Sequence, residues 1–198
     1  VPDADDLDPG VSDFSLSAWV RIPATTCTHS RLITHGTHGQ PGNDGYALME
    51  WGGSWGAVPC GGVALLVGSG VKAAEWLVGT CTAMNDGLFH HYVGVVNRAG
   101  TMDLYVDGAK VAAPCTGLSG SAAWGPTGAR DITPLAGFAL APTCALCVGA
   151  SCQNQGACGT PSEFFNGAID EFAFWKRALT ATDVSTAYAV GAGKAVCP

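Results

Sequence analysis

Short apolar runs of period two dominate the chain. Phe14-Ser-Leu-Ser-Ala-Trp-Val-Arg-Ile22 alternates as a half-buried strand does. Runs at Tyr46–Trp51, Val63–Val67, Trp76–Cys81, His91–Asn97, Met102–Val106, Leu146–Gly149 and Ala168–Trp175 share that style, with Gly, Asn, Asp and Pro clusters between them. Gly62–Val67 and Glu75–Thr80 flank the turn-like Gly68-Ser69-Gly70, Asn97–Gly100 closes a hairpin, and Asp107-Gly108 is the next turn with Lys110–Ala112 as a short return. Strands this short with turns this frequent predict a sandwich or barrel. One helix is predicted over Ala181–Ala189: Thr180-Ala-Thr-Asp183 outlines a capping box and Gly191 stops the helix. Pro114–Ser162, rich in Gly, Pro, Ala and Cys, reads as a long ordered loop held by disulfides, with Trp124 and Phe138 packing it on the body.

Composition narrows the class. The 198 residues suit one domain over 1–198, with 114–162 as an insertion. Nine Lys+Arg against sixteen Asp+Glu give a net charge of −7, and no basic cluster offers a phosphate contact, which argues against nucleic acid. At 47% hydrophobic the chain can build a core. No apolar run approaches the roughly 20 residues of a membrane span. Val1 opens no signal segment, so the sequence reads as a mature form or a fragment. Nine cysteines (Cys27, Cys60, Cys81, Cys115, Cys144, Cys147, Cys152, Cys158 and Cys197) indicate an oxidising, extracellular or cell-surface location. The odd count leaves at least one unpaired or bridging chains, with Cys197 the first to test. Cys144-x2-Cys147-x4-Cys152-x5-Cys158 lacks the two separated pairs of a structural zinc site and reads as disulfides. Closing the Gly62–Thr80 hairpin sets Cys60 opposite Cys81, an expected disulfide.

Four motifs in order resemble one family. Phe14-Ser-Leu-Ser-Ala-Trp-Val20 resembles the first strong motif of laminin-G-like, concanavalin A-like lectin/glucanase jelly rolls of bacterial extracellular proteins. Asp86-Gly-Leu-Phe-His-His-Tyr-Val-Gly-Val-Val96 is similar to their "W-H-H-V-A-V-V" strand, with Phe89 where Trp is usual. Leu104-Tyr-Val-Asp-Gly108 resembles the following hairpin, and Phe165–Phe172 with Trp175–Val184 the closing strand and helix. The resemblance implies an all-β, two-sheet antiparallel sandwich with a short C-terminal helix. Trp19, Val93, Val95, Leu104, Val106, Ile169 and Phe172 are expected between the sheets. An N-terminal strand carried by such domains is missing before Val1, so an open edge completed by a strand from another chain is expected.

Candidate chemistry is sparse. The Glu-x-Asp-x-x-Glu run of glycan-cleaving relatives is absent, and Asp170-Glu171, adjacent on a strand, point to opposite faces. No nucleophile elbow, zinc-protease helix or phosphate loop occurs, so no enzyme is expected. His35-x-x-His38, with His29, offers a transition-metal pattern in a polar loop, whereas His90-His91 face apart and make a poor metal pair. Calcium, which takes 6–8 oxygens, is implied by the resemblance at Asp170, with Asn43, Asp44, Asp3, Asp5 and Asp6 as further oxygen donors. Trp51, Trp55 and Trp124 in Gly-rich contexts are the candidate sugar-stacking rings. The function expected is a non-catalytic structural or adhesive module that self-associates into a homo-oligomer or fibre by strand donation. The alternative is a calcium-assisted, polysaccharide-binding lectin-like module, and a glycoside hydrolase is the distant third.

Overall fold

A computed structural model describes residues 1–24, 26–36, 44–52, 60–69, 74–112, 129–154 and 157–191. In chain order the strands are β1 (Phe14–Arg21), β2 (Ser30–Gly36), β3 (Gly45–Trp51), β4 (Gly62–Ser69), β5 (Ala74–Gly79), β6 (Phe89–Val96), β7 (Thr101–Val106), β8 (Ala109–Lys110), β9 (Ala129–Asp131), β10 (Cys147–Val148), β11 (Ser151–Asn154), β12 (Ala157–Ser162) and β13 (Ala168–Trp175); helix α1 (Ala181–Gly191) follows. One sheet runs β13-β1-β6-β7-β8, with β9 also on β7; the second runs β10-β2-β3-β4-β5, and β11 pairs with β12 alone. Every pairing is antiparallel. The two sheets share one core, and the antiparallel jelly-roll sandwich expected from the sequence is the fold.

Period-two burial explains the core. In β1, Phe14, Leu16, Ala18 and Val20 are fully buried and meet Leu32, Tyr46, Leu48, Leu65 and Val67 of the other sheet. Tyr92, Val96 and Leu104 join from β6 and β7. The sheets approach closely at Gly94, where a Cβ would fall 2.8 Å from the Leu65 side chain. Leu104, Val106, Ile169 and Phe172 lie in or against this core as expected. Trp19, Val93 and Val95 do not. They occupy the other parity and face outward, where Val93 and Val95 pack with Tyr105, Leu179 and Val184 under α1. Trp19 stacks on His91 at 5.1 Å and on Tyr188 of α1 at 5.7 Å. A helix covering the outer face buries both parities, so apolar character alone did not mark the inner one.

The same two-sided burial hid β2. All seven residues of Ser-Arg-Leu-Ile-Thr-His-Gly are buried. Two of the polar ones are held by carboxylates: Ser30 Oγ donates to Glu50 at 2.8 Å and Arg31 Nε to Glu163 at 2.7 Å. Within 129–162, read mainly as loop, β10 falls in the Leu146–Gly149 run while β9, β11 and β12 are further short strands, and Cys144–Cys158 and Cys147–Cys152 are disulfides. The expected Cys60–Cys81 bond is corrected: Cys60 bonds Cys27, and Cys81 is disulfide-bonded to another cysteine. Beyond the hairpin the chains part. Gly61 N–H donates to Trp51 O and carries Cys60 toward the β2 entry, whereas Cys81 Sγ lies 3.5 Å from Ala112 O.

Helix α1 begins in the capping box its sequence encodes. Asp183 N–H donates to Thr180 Oγ1 at 3.1 Å, and Thr180 N–H donates back to Asp183 Oδ2 at 2.9 Å. At the far end of the sandwich Arg98, only 3% exposed, follows β6 and pins two separate segments. Its Nη2 donates to Leu135 O at 2.7 Å and also to Phe138 O, and its Nη1 donates to Gly10 O at 3.4 Å. Removing the fork takes a charge-assisted hydrogen bond from each carbonyl, roughly 1.5–3 kcal/mol apiece, although Leu135 O keeps the Phe138 N–H and Gly10 O keeps the Leu140 N–H. Arg98→Ala is therefore expected to lower unfolding free energy by about 3 kcal/mol in urea titrations. Arg98→Lys should recover less than half, because one ammonium cannot span all three carbonyls.

Candidate binding face

The structure redistributes the residues singled out by sequence. Trp51 is 1% exposed, clustered with Met49, Ala64, Leu66 and Leu77 and edge-on to His29 at 5.1 Å, so its ring cannot stack on a sugar and that reading is corrected. Trp55, Trp124, Asn43 and His38 lie outside the described residues. Asp170 sits on β13 where the register to β1 shifts; its Oδ1 accepts the N–H of Glu171 at 2.8 Å, and Glu171 adopts φ 50°. Asp44 is half-buried just before β3. Among the described residues, neither Asp170 nor Asp44 falls in a group of three metal-ligating side chains.

Exposed aromatic surface lies elsewhere. α1 covers the outer face of the β13-β1-β6 sheet as far as the Trp19–His91 row. The next pair along, Arg21 and Phe89, is left open. Arg21 also pairs with Ala168 of β13, so three strands end together here. The Arg21 guanidinium lies 5.6 Å from the Phe89 ring centroid, a cation–π contact that holds both groups flat on the sheet. Phe89 is 45% exposed, Leu88 63%, and Phe164, in the connection that leads into β13, 68%. These are costly exposures for large apolar side chains, and Leu88 and Phe89 stand together at the start of β6. The sequence carried a partial signal, in that Phe89 stands in a family Trp position. Phe164 carried less, although Phe164-Phe165 cannot both point inward.

Two carboxylates and a histidine brace this end. Asp107 and Gly108, with φ 51° and 79°, form the two-residue turn between β7 and β8. That turn aims the Asp107 carboxylate back at β6, where it accepts from His91 N–H at 2.9 Å and meets His90 Nδ1 at 2.7 Å. His90 Nε2 meets Asp86 Oδ2 at 3.1 Å, and Asp86 Oδ1 accepts the Leu88 N–H at 2.8 Å, which fixes the loop carrying Leu88 and Phe89. Burial alone would lower the His90 pKa, but hydrogen bonds and charge from Asp107 and Asp86 outweigh it and raise it. Asp86 is lowered, first by the Leu88 N–H and then by His90. His91, facing the other way, is lowered by burial. The Asp107–His90–Asp86 bridge fixes the start of β6, from which Phe89 projects on the opposite face of the strand beside Arg21.

A family model described as the concanavalin A-like lectin/glucanases superfamily matches residues 1–132. No curated protein matches the sequence. Among solved structures the chain is similar to the binding domain of Paraclostridial Mosquitocidal Protein 1, with TM-score 0.63 and 14% identity over 95% of this chain and 39% of that one. It is similar to a heptameric SAP-like pentraxin from Limulus polyphemus, with TM-score 0.58 and 15% identity over 94% of this chain and 79% of that one. It is also similar to a botulinum neurotoxin serotype D ligand-binding domain in complex with N-acetylneuraminic acid, with TM-score 0.58 and 13% identity over 94% of this chain and 38% of that one. The chain thus spans about two fifths of each toxin domain. Identities this low speak for the fold alone.

The His90 bridge predicts a pH response. A raised folded pKa contributes stability fully below the unfolded histidine value, about 6.5, and that contribution is lost as pH rises through the folded value. His91, lowered in the fold, acts with the opposite sign. The readout is therefore a difference: wild type minus His90→Gln should lose stability as pH rises from about 6.5, in thermal melts spanning about pH 5 to 9. Parallel melting curves across that range would overturn the bridge.

Proposed function

The chain belongs to the concanavalin A-like lectin/glucanase superfamily, and from that premise we propose that it is a non-catalytic, lectin-like module that binds glycans through the exposed Phe89 ring beside Arg21, with Phe164 as a second exposed ring. The observation that carries this reading is the exposed Phe89 held against the Arg21 guanidinium at the end of β1 and β6. Aromatic faces take the apolar faces of pyranose rings, and the charged groups beside them orient hydroxyls or a sugar carboxylate. A similar fold carries N-acetylneuraminic acid in the serotype D toxin domain, which supports a carbohydrate ligand without locating it here. The disulfides and the fold support an extracellular setting. Calcium assistance at Asp170 or Asp44 belongs to this reading as an accessory, read out by chelation.

Glycan-array binding tests it. Phe89→Ala and Phe164→Ala should each weaken the best glycan about tenfold, roughly 1.4 kcal/mol, while melting temperature stays within a few degrees. An array with no bound glycan, or binding untouched by both substitutions, would sink the proposal. Loss of binding in EDTA that calcium restores would add the cation; unchanged binding would remove it.

A second reading rests on a different observation. β13 lies at its sheet's edge, and among the described residues only β1 pairs with it. Its Ile169, Phe172 and Phe174 pack on the core yet remain partly exposed. Such an edge accepts a strand, so self-association by strand addition, up to a fibre, is the competing function. The Asp170–Glu171 bulge breaks the ladder and makes a long continuous pairing harder. Sedimentation and electron microscopy at high protein concentration should reveal oligomers if this reading holds; a folded monomer throughout would dismiss it.

A further inference from the structure

The segment before β1 makes a contact that neither reading uses. Asp5–Leu7 forms a single 3-10 turn, closed by Leu7 N–H to Ala4 O at 2.8 Å. That turn folds Asp3 and Asp8 to the same side, over the end of β2. Leu7 anchors it from below: its side chain packs on the core, and its carbonyl accepts from Tyr46 Oη at 3.1 Å. Between the two carboxylates stands His35, whose side chain is 0% exposed and whose ring meets that of Tyr46 edge-on at 5.5 Å.

The polar groups around His35 are not mutually satisfied. His35 Nε2 lies 3.3 Å from Asp3 Oδ1, within hydrogen-bond reach. On the other side His35 Nδ1 lies 3.9 Å from Asp8 Oδ1. That is too long for a hydrogen bond, and both atoms are buried with no hydrogen-bond partner. Donating Nε2–H to Asp3 leaves the Nδ1 lone pair facing the oxygen of an anion. Asp8, about a fifth exposed as a side chain, has its carboxyl pKa raised, first by desolvation, with His35 and Lys176 lowering it and Asp3 and Asp5 raising it. The Lys176 ammonium donates to the Asp5 carbonyl at 2.7 Å, so no cation stands where the two buried lone pairs converge among the described residues. A gap of 3.9 Å admits an ion bonded to both atoms, and closing it by about half an ångström gives the tetrahedral spacing of bonds of about 2.0–2.1 Å.

We propose that Asp8 and His35 bind a divalent transition metal ion of the zinc class, with Asp3 orienting the imidazole, so that the ion pins the N-terminal segment to β2. The ligand atoms offered by the three side chains lie within 4.8 Å of one another, and water completes the shell. The carboxylate–histidine–metal order is the arrangement that fixes the tautomer of a ligating histidine. An imidazole nitrogen in the donor set selects zinc, nickel or copper over calcium, which needs 6–8 oxygens. The sequence pattern pairs His35 with His38, which lies outside the described residues; among those described, Asp3 and Asp8 stand at His35.

The test is zinc titration of the disulfide-intact protein with any free thiol blocked, followed by calorimetry and thermal melting. Wild type should bind one Zn2+ and melt several degrees higher with it, since a ligand of the native state alone stabilises by mass action. Asp8→Asn should weaken Zn2+ binding at least tenfold and Asp3→Asn a few-fold, whereas Asp6→Asn, an exposed aspartate of the same segment, should leave it unchanged. All three sites have exposed or partly exposed carboxylates, so the variants fold and metal-free melts check it. No Zn2+-dependent shift in wild type, an equal loss in Asp6→Asn, or equal stabilisation by Ca2+ would each overturn the proposal.

Discussion

The register between β1 and β6 governs the rest of the molecule. Eight residues pair without a slip, from Phe14 opposite Val96 to Arg21 opposite Phe89. A shift of one residue would exchange the two faces of β1 and drive Ser15, Ser17 and Trp19 into the space filled by Phe14, Leu16, Ala18 and Val20. It would also unseat α1, whose Tyr188 stacks on Trp19, and separate Arg21 from Phe89. Core, helix seat and candidate binding face are thus three readings of one hydrogen-bond ladder.

The register on the other side of β1 is less regular, and the difference has a purpose in the edge. β13 follows β1 from Ser15–Trp175 to Ser17–Ala173, then shifts by a bulge before Trp19–Asp170. The bulge turns Glu171 into a left-handed conformation and leaves Ile169 and Phe172 both on the core side. A similar shift occurs inside the other sheet between β2 and β3, but at an edge it has an added effect, because a bent ladder is a poor template for unwanted pairing.

Most of the fold was legible in the sequence because its strands carry alternation, turns and four ordered motifs. β1, β3, β4, β6, β7, β13 and the capped helix fall where the pattern puts them, within a few residues. β2 was not legible, because Ser30, Arg31, Thr34 and His35 interrupt its apolar pattern and are buried all the same, Ser30 and Arg31 against carboxylates that only the folded chain supplies. The inner and outer faces of β1 and β6 were not separable either, since α1 buries the outer one. The candidate face was half legible. Phe89 was marked by its motif, but its exposure depends on where α1 stops. Trp51 looked exposed among glycines and is not, because apolar residues of β3, β4 and β5 close around it. Disulfide partners followed the direction in which chains leave the β4–β5 hairpin, which spacing does not encode.

The covalent links have a consequence for durability outside a cell. Cys147–Cys152 lies wholly inside the loop closed by Cys144–Cys158, and Cys27–Cys60 encloses β2 and β3 together. A protease that cuts one peptide bond anywhere between 27 and 60, or between 144 and 158, leaves both new ends tethered to the same body. Loss of the chain then needs two cuts in one loop, or one cut and a reductant. A nicked molecule therefore keeps its pieces at high effective concentration and can keep its shape, which lengthens its working life wherever proteases act on it.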